Sequence, residues 1–82
     1  MADGRIDPLA PTPPYRQIAE ILRLRIESGQ YPPDTRIPTE SELVETFEVA
    51  RTTARRAVSV LRDAGLVYTV PQRGTYVTAP AR

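Results

Sequence analysis

The stretch of sequence that decides the fold is residues 39–65, TESELVETFEVARTTARRAVSVLRDAG. Thr39 and Glu42 have the spacing of a capping box, in which the threonine hydroxyl and the glutamate carboxylate each accept a backbone N–H at the start of a helix. The side chains that would form the apolar face of this helix are Leu43, Val44 and Phe47. The pattern predicts a short helix over residues 40–47.

A longer helix is predicted after a connection formed by residues 48–50. Its apolar face would consist of Ala54, Ala57, Val58 and Leu61. Gly65 would end it, because glycine accepts the left-handed backbone that commonly closes a helix, so the helix should run from about residue 51 to residue 64. A short helix joined in this way to a longer one forms a helix-turn-helix.

Upstream of these helices, another helix is predicted to begin near Pro14, because proline suits the first helical turn. Thr12 is its expected cap and Gly29 its expected end. The apolar side chains repeat at helical spacing, at Tyr15, Ile18, Ala19, Leu22 and Ile26. Residues 30–38 contain three prolines and cannot be helical. Within them, residues 36–37 could form a short strand.

Downstream of Gly65 the apolar pattern changes to a period of two, which predicts strands. Residues 66–70 and 75–78 are rich in β-branched and aromatic side chains, and the turn formers at 71–74 separate them. The predicted fold class is therefore α+β and mainly α. It is a winged helix-turn-helix with three helices, a short strand and a C-terminal β-hairpin, the wing.

Composition divides the chain into three parts. Four of the nine prolines lie in residues 1–14, with few apolar side chains among them. This favours a flexible, Pro-rich arm over residues 1–13, although a disordered leader without a role explains the composition equally well. The winged helix-turn-helix domain is predicted over residues 14–79, and residues 80–82 form a C-terminal tail.

The composition also excludes several classes of protein. At 82 residues the chain is long enough for one domain and too short for two. It has no His and no Cys, so disulfides, zinc sites and the common nucleophile–base pairs lack their residues. No metal, cofactor or enzymatic activity is expected. No stretch approaches the ~20 apolar residues that span a membrane, and no signal peptide is recognisable, so a cytoplasmic protein is the default.

The near-neutral net charge of +1 conceals an uneven distribution. All 11 basic residues are arginine. Residues 1–50 hold five Arg and nine Asp or Glu, a charge of −4, whereas residues 51–82 hold six Arg and one Asp, a charge of +5. The basic half is the third helix and the wing, and a clustered basic face is the electrostatic footprint of nucleic-acid binding.

The third helix concentrates this charge in one stripe. At 100° per residue, the stripe lies about 60–200° from the buried Ala54. It contains four arginines, two hydroxyl side chains and no carboxylate: Arg51, Arg62, Arg55, Ser59, Thr52 and Arg56. A solvated helix face ordinarily mixes both signs of charge, although a basic face without a ligand remains an alternative.

These side chains are the ones that DNA recognition requires. Arginine can donate two parallel hydrogen bonds to guanine or to a phosphate, and threonine hydroxyls bond phosphate oxygens or base edges. A helix is thin enough to enter the major groove, and its N-terminus offers free N–H groups. At the predicted wing tip, Arg73 could contact DNA and Gly74 could let the backbone approach a phosphate or the minor groove. An ordinary hairpin turn explains Gly74 equally well.

Six spaced motifs follow one another along residues 15–77 with almost no gaps. They are Tyr15-x-Gln17-Ile18, Gly29-x-Tyr31-x-Pro33, Ile37-Pro38-Thr39-Glu40-x-Glu42-Leu43, Phe47-x-Val49-x-Arg51-x-Thr53-x-Arg55-x-Ala57, Leu61-x-x-x-Gly65-Leu66-Val67 and Gly74-Thr75-Tyr76-Val77. This ordered set resembles the N-terminal winged-helix domain of the GntR family of bacterial transcription regulators.

The resemblance implies binding to short, roughly palindromic double-stranded operators, usually as a homodimer and most often as a repressor. It gives Arg51 and Arg55 the base contacts and Ser41 a weak phosphate contact, and it places the wing in the minor groove through Arg73 and Gly74. Together with the basic stripe, it predicts a DNA-binding set of Ser41, Arg51, Thr52, Thr53, Arg55, Arg56, Arg62, Arg73, Gly74 and Thr75.

The chain departs from the family pattern in three respects. Ala50 stands where Ser or Thr is usual, which removes a helix cap worth about 1 kcal/mol and one phosphate contact. Asp34 stands where Gly is usual, and Asp tolerates left-handed backbone better than most residues. Typical members also continue into an effector-binding and dimerising domain, so the chain is either an excised DNA-binding domain or a small stand-alone member. A small-molecule effector is expected only if such a domain exists.

Two alternatives concern protein contacts rather than DNA. Winged helices also serve as protein-interaction modules that do not bind DNA, but such a module need not concentrate arginine on its third helix. Ile21 and Leu24 lie away from the apolar face of the first helix, where they could pack on a partner subunit or on a missing domain. Scattered exposed apolar residues explain them equally well.

Overall fold

A computed structural model describes residues 5–79 and gives the bounds of each element. The elements are helices α1 (Pro14–Glu27), α2 (Glu40–Phe47) and α3 (Arg51–Asp63) and strands β1 (Val67–Val70) and β2 (Gly74–Val77). The strands form an antiparallel hairpin in which Val67 pairs with Val77 and Val70 with Gly74. The predicted winged helix-turn-helix, α+β and mainly α, is confirmed. Gly74 was predicted to lie in the turn at residues 71–74, but it is the first residue of β2.

The start of α2 follows the predicted capping box. The backbone N–H of Glu42 donates to Thr39 Oγ1 at 3.1 Å, and the backbone N–H of Thr39 donates to Glu42 Oε1 at 2.8 Å. Glu48, in the left-handed conformation with φ 55°, ends the helix and turns the chain toward α3. The box therefore fixes where α2 begins, and the turn after it fixes the angle at which α3 leaves.

The start of α1 differs from the prediction. Pro13, not Thr12, occupies the cap position, and no side chain caps the helix. Pro13 cannot be the first helical residue, because the proline that follows it disfavours helical backbone at position 13, where ψ is 150°. The Gln17 side chain instead donates to the carbonyls of Asp7 and Thr12, at 2.8 and 2.7 Å, and accepts from the Asp7 N–H at 2.6 Å.

These bonds attach residues 7–12 to the first turn of α1. Ile6, next to them, packs partly buried against the core. Residues 1–4 of the predicted arm and residues 80–82, the predicted tail, lie outside the described residues. A flexible arm over residues 1–13 therefore stays a prediction.

The core lies between the three helices and the inner face of the wing. Its buried side chains are Ile18, Ala19, Leu22, Ile37, Leu43, Phe47, Ala54, Ala57, Val58, Leu61, Val67 and Val77. Ala54 and Ala57 have no exposed surface, and their small size lets α1 pack closely on α3. Among the described residues, no polar side chain is buried and no helix is long and apolar enough to cross a membrane.

The hypothesised apolar flank of α1 divides in the structure. Ile21 packs partly buried against the core, whereas Leu24 is 52% exposed. The flank is therefore a single exposed leucine beside a partly covered isoleucine, which is within the normal exposure of apolar residues.

A short extended segment at residues 36–37, where the sequence suggested a strand, joins the wing to the core. The Ile37 N–H donates to the Thr75 carbonyl and the Val77 N–H to the Thr35 carbonyl, both at 2.9 Å, and Arg36 pairs with Tyr76. The segment thus pairs with β2 on the side away from β1, in the position of a short third strand. Because Ile37 is buried, this edge holds the wing in a fixed position relative to the helices.

Two tyrosines cover the outer face of the wing. Tyr68 and Tyr76 stack with ring centroids 5.8 Å apart. The Tyr68 hydroxyl donates to Asp34 Oδ1 at 2.8 Å, and this bond raises the pKa of Tyr68. Asp34 has a positive φ of 63°, so it does adopt the left-handed backbone that its position was expected to require.

The start of α3 lacks a side-chain cap. Ala50 occupies the cap position with φ −67° and ψ 154°, close to the −72° and 166° of Thr39, which does cap its helix. We expect Ala50→Ser to raise the free energy of unfolding by about 1 kcal/mol, because the serine hydroxyl would accept a free N–H of the first turn. Urea denaturation measures this, with Ala79→Ser, outside any element, as the control. An unchanged or lower stability of Ala50→Ser would contradict it.

Candidate nucleic-acid interface

An open groove lies between the start of α2, the exposed side of α3 and the wing, and we call it the basic groove. Among residues 5–79, the charged side chains that line it are four arginines and one glutamate: Arg51, Arg55, Arg62, Arg73 and Glu40. Seven of the ten predicted DNA-binding residues line it, namely Ser41, Arg51, Arg55, Arg62, Arg73, Gly74 and Thr75. The fold therefore brings residues from three separate parts of the sequence to one positively charged surface.

Arg51 and Arg55, the predicted base readers, share one carboxylate. Arg51 Nη1 lies 3.6 Å from Glu40 Oε1, and Arg55 Nε lies 3.5 Å from Glu40 Oε2. Arg51 Nη2 also donates to Ser41 Oγ at 3.0 Å. The stripe on α3 has no carboxylate of its own, but Glu40 of α2 places one beside Arg51 and Arg55. Sequence reasoning missed Glu40 because it assessed charge along one helix at a time.

The Glu40 carboxylate orients the two guanidinium groups more than it stabilises the fold. The Arg51 and Arg55 side chains are 53% and 58% exposed, and ion pairs this exposed contribute about 0.2–1 kcal/mol each. Both distances are longer than a good charged hydrogen bond, so each guanidinium keeps donors free on its outer side. A ligand with strong acceptors, such as a phosphate or a guanine edge, can therefore compete with Glu40.

Arg62 links α3 to β1 of the wing. Its Nη1 donates to Thr69 Oγ1 at 3.0 Å and its Nη2 to Ser59 Oγ at 3.2 Å. The hydroxyls of Thr69 and Thr75 are 3.2 Å apart, which extends the network across both strands. All the partners are neutral, so the charge of Arg62 is held in place without being neutralised.

Near the wing tip, the structure gives a reason for glycine at position 74 that the sequence did not show. Its φ is 134°, and a Cβ at this position would lie 2.7 Å from Cδ of Arg36 and 3.2 Å from Cγ. The space beside Gly74 is thus occupied by the Arg36 side chain. The tip itself carries Arg73, which is exposed, and Gln72, which has a positive φ of 64°. Non-glycine residues in this conformation concentrate at functional sites.

Three predicted residues do not line the basic groove. Thr52 is exposed and Thr53 partly buried, both in the first turn of α3. Arg56 points toward α1, with its guanidinium carbon 4.1 Å from the centre of the Tyr15 ring, a cation–π contact. The structure thus holds Arg56 against the protein at the edge of the exposed side of α3. Besides Glu40, the groove residues that sequence reasoning missed include Thr69 and Gln72.

The family model described as "Bacterial regulatory proteins, gntR family" matches residues 14–77. The transcriptional repressor NagR of Bacillus subtilis is 41% identical over 75 residues, which cover 92% of this chain and 31% of NagR. The chain spans less than a third of the length of such curated relatives.

Solved structures show the same fold. The DNA-binding domain of AraR, solved in complex with its operator ORX1, matches with a TM-score of 0.82 and 40% identity over 89% of this chain and 90% of that one. YtrA from Sulfolobus acidocaldarius, described as a GntR-family transcription factor, matches with a TM-score of 0.87 and 29% identity over 98% of this chain and 84% of that one. This family consists of transcription regulators and not of enzymes. On these matches, the chain belongs to the gntR family of bacterial regulatory proteins.

Proposed function

We propose that the chain is the sequence-specific, double-stranded-DNA-binding module of a bacterial transcription regulator, and that the regulator is a repressor. The observation that carries this proposal is the basic groove, in which four arginines from α3 and the wing face solvent beside a single carboxylate. Relatives support it, because AraR was solved on its operator and NagR is named a repressor.

The proposed docking places α3 in the major groove and the wing in the adjacent minor groove. Arg51 and Arg55 lie in the N-terminal half of α3, which is the part of a recognition helix that contacts base edges. Each would exchange its contact with Glu40 for a bidentate contact to a base. Thr52 and Thr53, in the first turn, would bond flanking phosphates.

Two arginines at the wing end of the basic groove would contact the DNA outside the major groove. Arg62 is held by Ser59 and Thr69, so its charge would meet the phosphates that separate the major from the minor groove. Arg73, at the exposed tip, would enter the minor groove. Arg56 would meet a phosphate at the edge of α3, on the side of Tyr15.

We further propose that two copies bind a roughly palindromic operator as a homodimer. The resemblance of the motifs to regulators of this kind supports the pairing, and a two-fold symmetric dimer contacts inverted half-sites about one helical turn, or a multiple of it, apart. A small-molecule effector would act only through an additional C-terminal domain. Relatives such as NagR are more than three times as long as the matched region, which is enough for such a domain.

Selection of bound duplexes from random DNA tests the proposed function. We expect enrichment of one short motif, and two copies of it about one helical turn, 10–10.5 base pairs, apart if the chain binds as a dimer. The affinity should fall steeply with salt, because each neutralised phosphate contributes about −0.9 to the slope of log K against log salt. Absence of any enriched motif would contradict the proposal and favour a protein-interaction module instead.

A further inference from the structure

We propose that Arg36 is a second DNA-binding cation of the wing, which contacts the phosphate backbone beside the minor groove that Arg73 enters. The proposal rests on the proposed function and adds to it a residue outside the recognition helix and outside the lining of the basic groove. Four observations carry it: the position of Arg36 at the edge of the wing, the course of its side chain, the space kept for that side chain and its lack of an acidic partner.

Arg36 lies on the free edge of the hairpin. It pairs with Tyr76 of β2, on the opposite side of that strand from β1. The backbone there is fixed by the Ile37 N–H to Thr75 carbonyl bond and the Val77 N–H to Thr35 carbonyl bond, each 2.9 Å long. The arginine is therefore mounted on an ordered strand edge and not on a loose loop.

The side chain of Arg36 extends toward the tip of the wing. It starts opposite Tyr76, and its Cγ, Cδ and Nε lie 3.2, 2.7 and 4.0 Å from where a Cβ of Gly74 would be. Gly74 is two positions nearer the tip than Tyr76 and is the neighbour of Arg73. The guanidinium group of Arg36 is thus delivered to the tip, on the side of the wing next to Arg73.

The space for this course depends on the absence of a side chain at position 74. Any Cβ there would lie closer to Arg36 Cδ than non-bonded carbons approach. The glycine therefore provides a channel for the aliphatic part of the arginine. Because this part is already ordered, less side-chain entropy is lost when the guanidinium meets a ligand.

The charge of Arg36 is not neutralised by the part of the chain that the structure describes. Arg36 is exposed, and none of the ion pairs among residues 5–79 includes it. By contrast, Arg23 on α1 is paired with both Glu20 and Glu27. An ordered, unneutralised guanidinium beside the tip of a minor-groove wing fits a backbone phosphate, whose oxygens can accept two parallel N–H bonds from arginine.

The test measures the salt dependence of binding to the duplex recovered by selection, and to a scrambled duplex, for the wild type, Arg36→Gln and Arg36→Lys. We expect Arg36→Gln to reduce the slope of log K against log salt by about 0.9, one phosphate contact. It should weaken both duplexes by the same factor, because phosphate contacts carry no sequence information. Arg36→Lys should keep the slope, since it keeps the charge.

Arg23→Gln is the matched control, because the same change removes a guanidinium that already has two carboxylate partners. Its slope should equal that of the wild type, and thermal unfolding of each variant shows whether the fold is intact. An unchanged slope for Arg36→Gln, or a loss confined to the selected duplex, would overturn the phosphate assignment while leaving the proposed function in place. If the wild type itself bound neither duplex, both proposals would fail.

Discussion

Arg55→Ala is expected to weaken binding to the selected duplex by about 5- to 150-fold, which corresponds to the loss of about 1–3 kcal/mol for one bidentate base contact. Arg55 lies on the exposed side of α3 with its Nε 3.5 Å from Glu40 Oε2, so its outer donors face the basic groove. A scrambled duplex, to which Arg55 offers only its charge, should be affected much less. The ratio of the two affinities, measured by titration at fixed salt, is the quantity that should fall.

Arg62→Ala is the control for this prediction. Arg62 also lines the basic groove, but it is bonded to Ser59 and Thr69 and is assigned to the phosphates. Its removal should weaken both duplexes similarly and leave their ratio unchanged. If Arg51→Ala and Arg55→Ala both bound the selected duplex as the wild type does, α3 would not be the surface that recognises bases.

Leu61→Ala is expected to lower the free energy of unfolding by about 2–5 kcal/mol. Leu61 is 1% exposed, and it lies on the buried face of α3 among the side chains that join this helix to α1. Truncation removes its transfer free energy and leaves a cavity that close-packed neighbours fill only in part. At roughly 0.05–0.15 kcal/mol per residue, a domain of this size has too little stability to lose this much without a large effect.

Urea denaturation of Leu61→Ala against Leu9→Ala measures this loss. Leu9 is 92% exposed, so the same substitution there should change the stability by less than about 0.5 kcal/mol. Equal stabilities of the two variants would show that α3 is not anchored in the core as described. Because α3 carries the arginines proposed to read bases, a partly unfolded Leu61→Ala chain should also lose DNA binding, although no residue of the basic groove is changed.

Local patterns were enough to predict the elements of the fold. The capping box of Thr39 and Glu42 and the proline at position 14 are signals within a single turn, and each placed a helix start correctly. The cap at Thr12 was wrong because Pro14 disfavours helical backbone at Pro13, so the helix begins one residue later than a Thr12 cap requires. The edge strand at residues 36–37 was predicted only as possible, because its hydrogen-bond partners lie about forty residues away in the wing.

The candidate site was predicted less completely than the fold. A helical projection finds side chains that share one helix, and it correctly grouped Arg51, Arg55 and Arg62. It cannot find Glu40, which enters the same surface from α2, or the contact of Arg56 with Tyr15 of α1. The packing of Arg36 on Gly74 was equally hidden, since it requires both the strand pairing and the direction of a side chain.

The central claim is that the basic groove is the DNA-binding surface, and an NMR titration of the chain with the selected duplex tests it most directly. Backbone amides of Ser41, Arg51, Arg55 and Arg73, which line the basic groove, should show the largest shift changes. Those around a second surface groove, lined by residues including Ala19, Arg23, Ala64 and Leu66, should change little. Changes concentrated at the second groove, with the basic groove unaffected, would contradict the account.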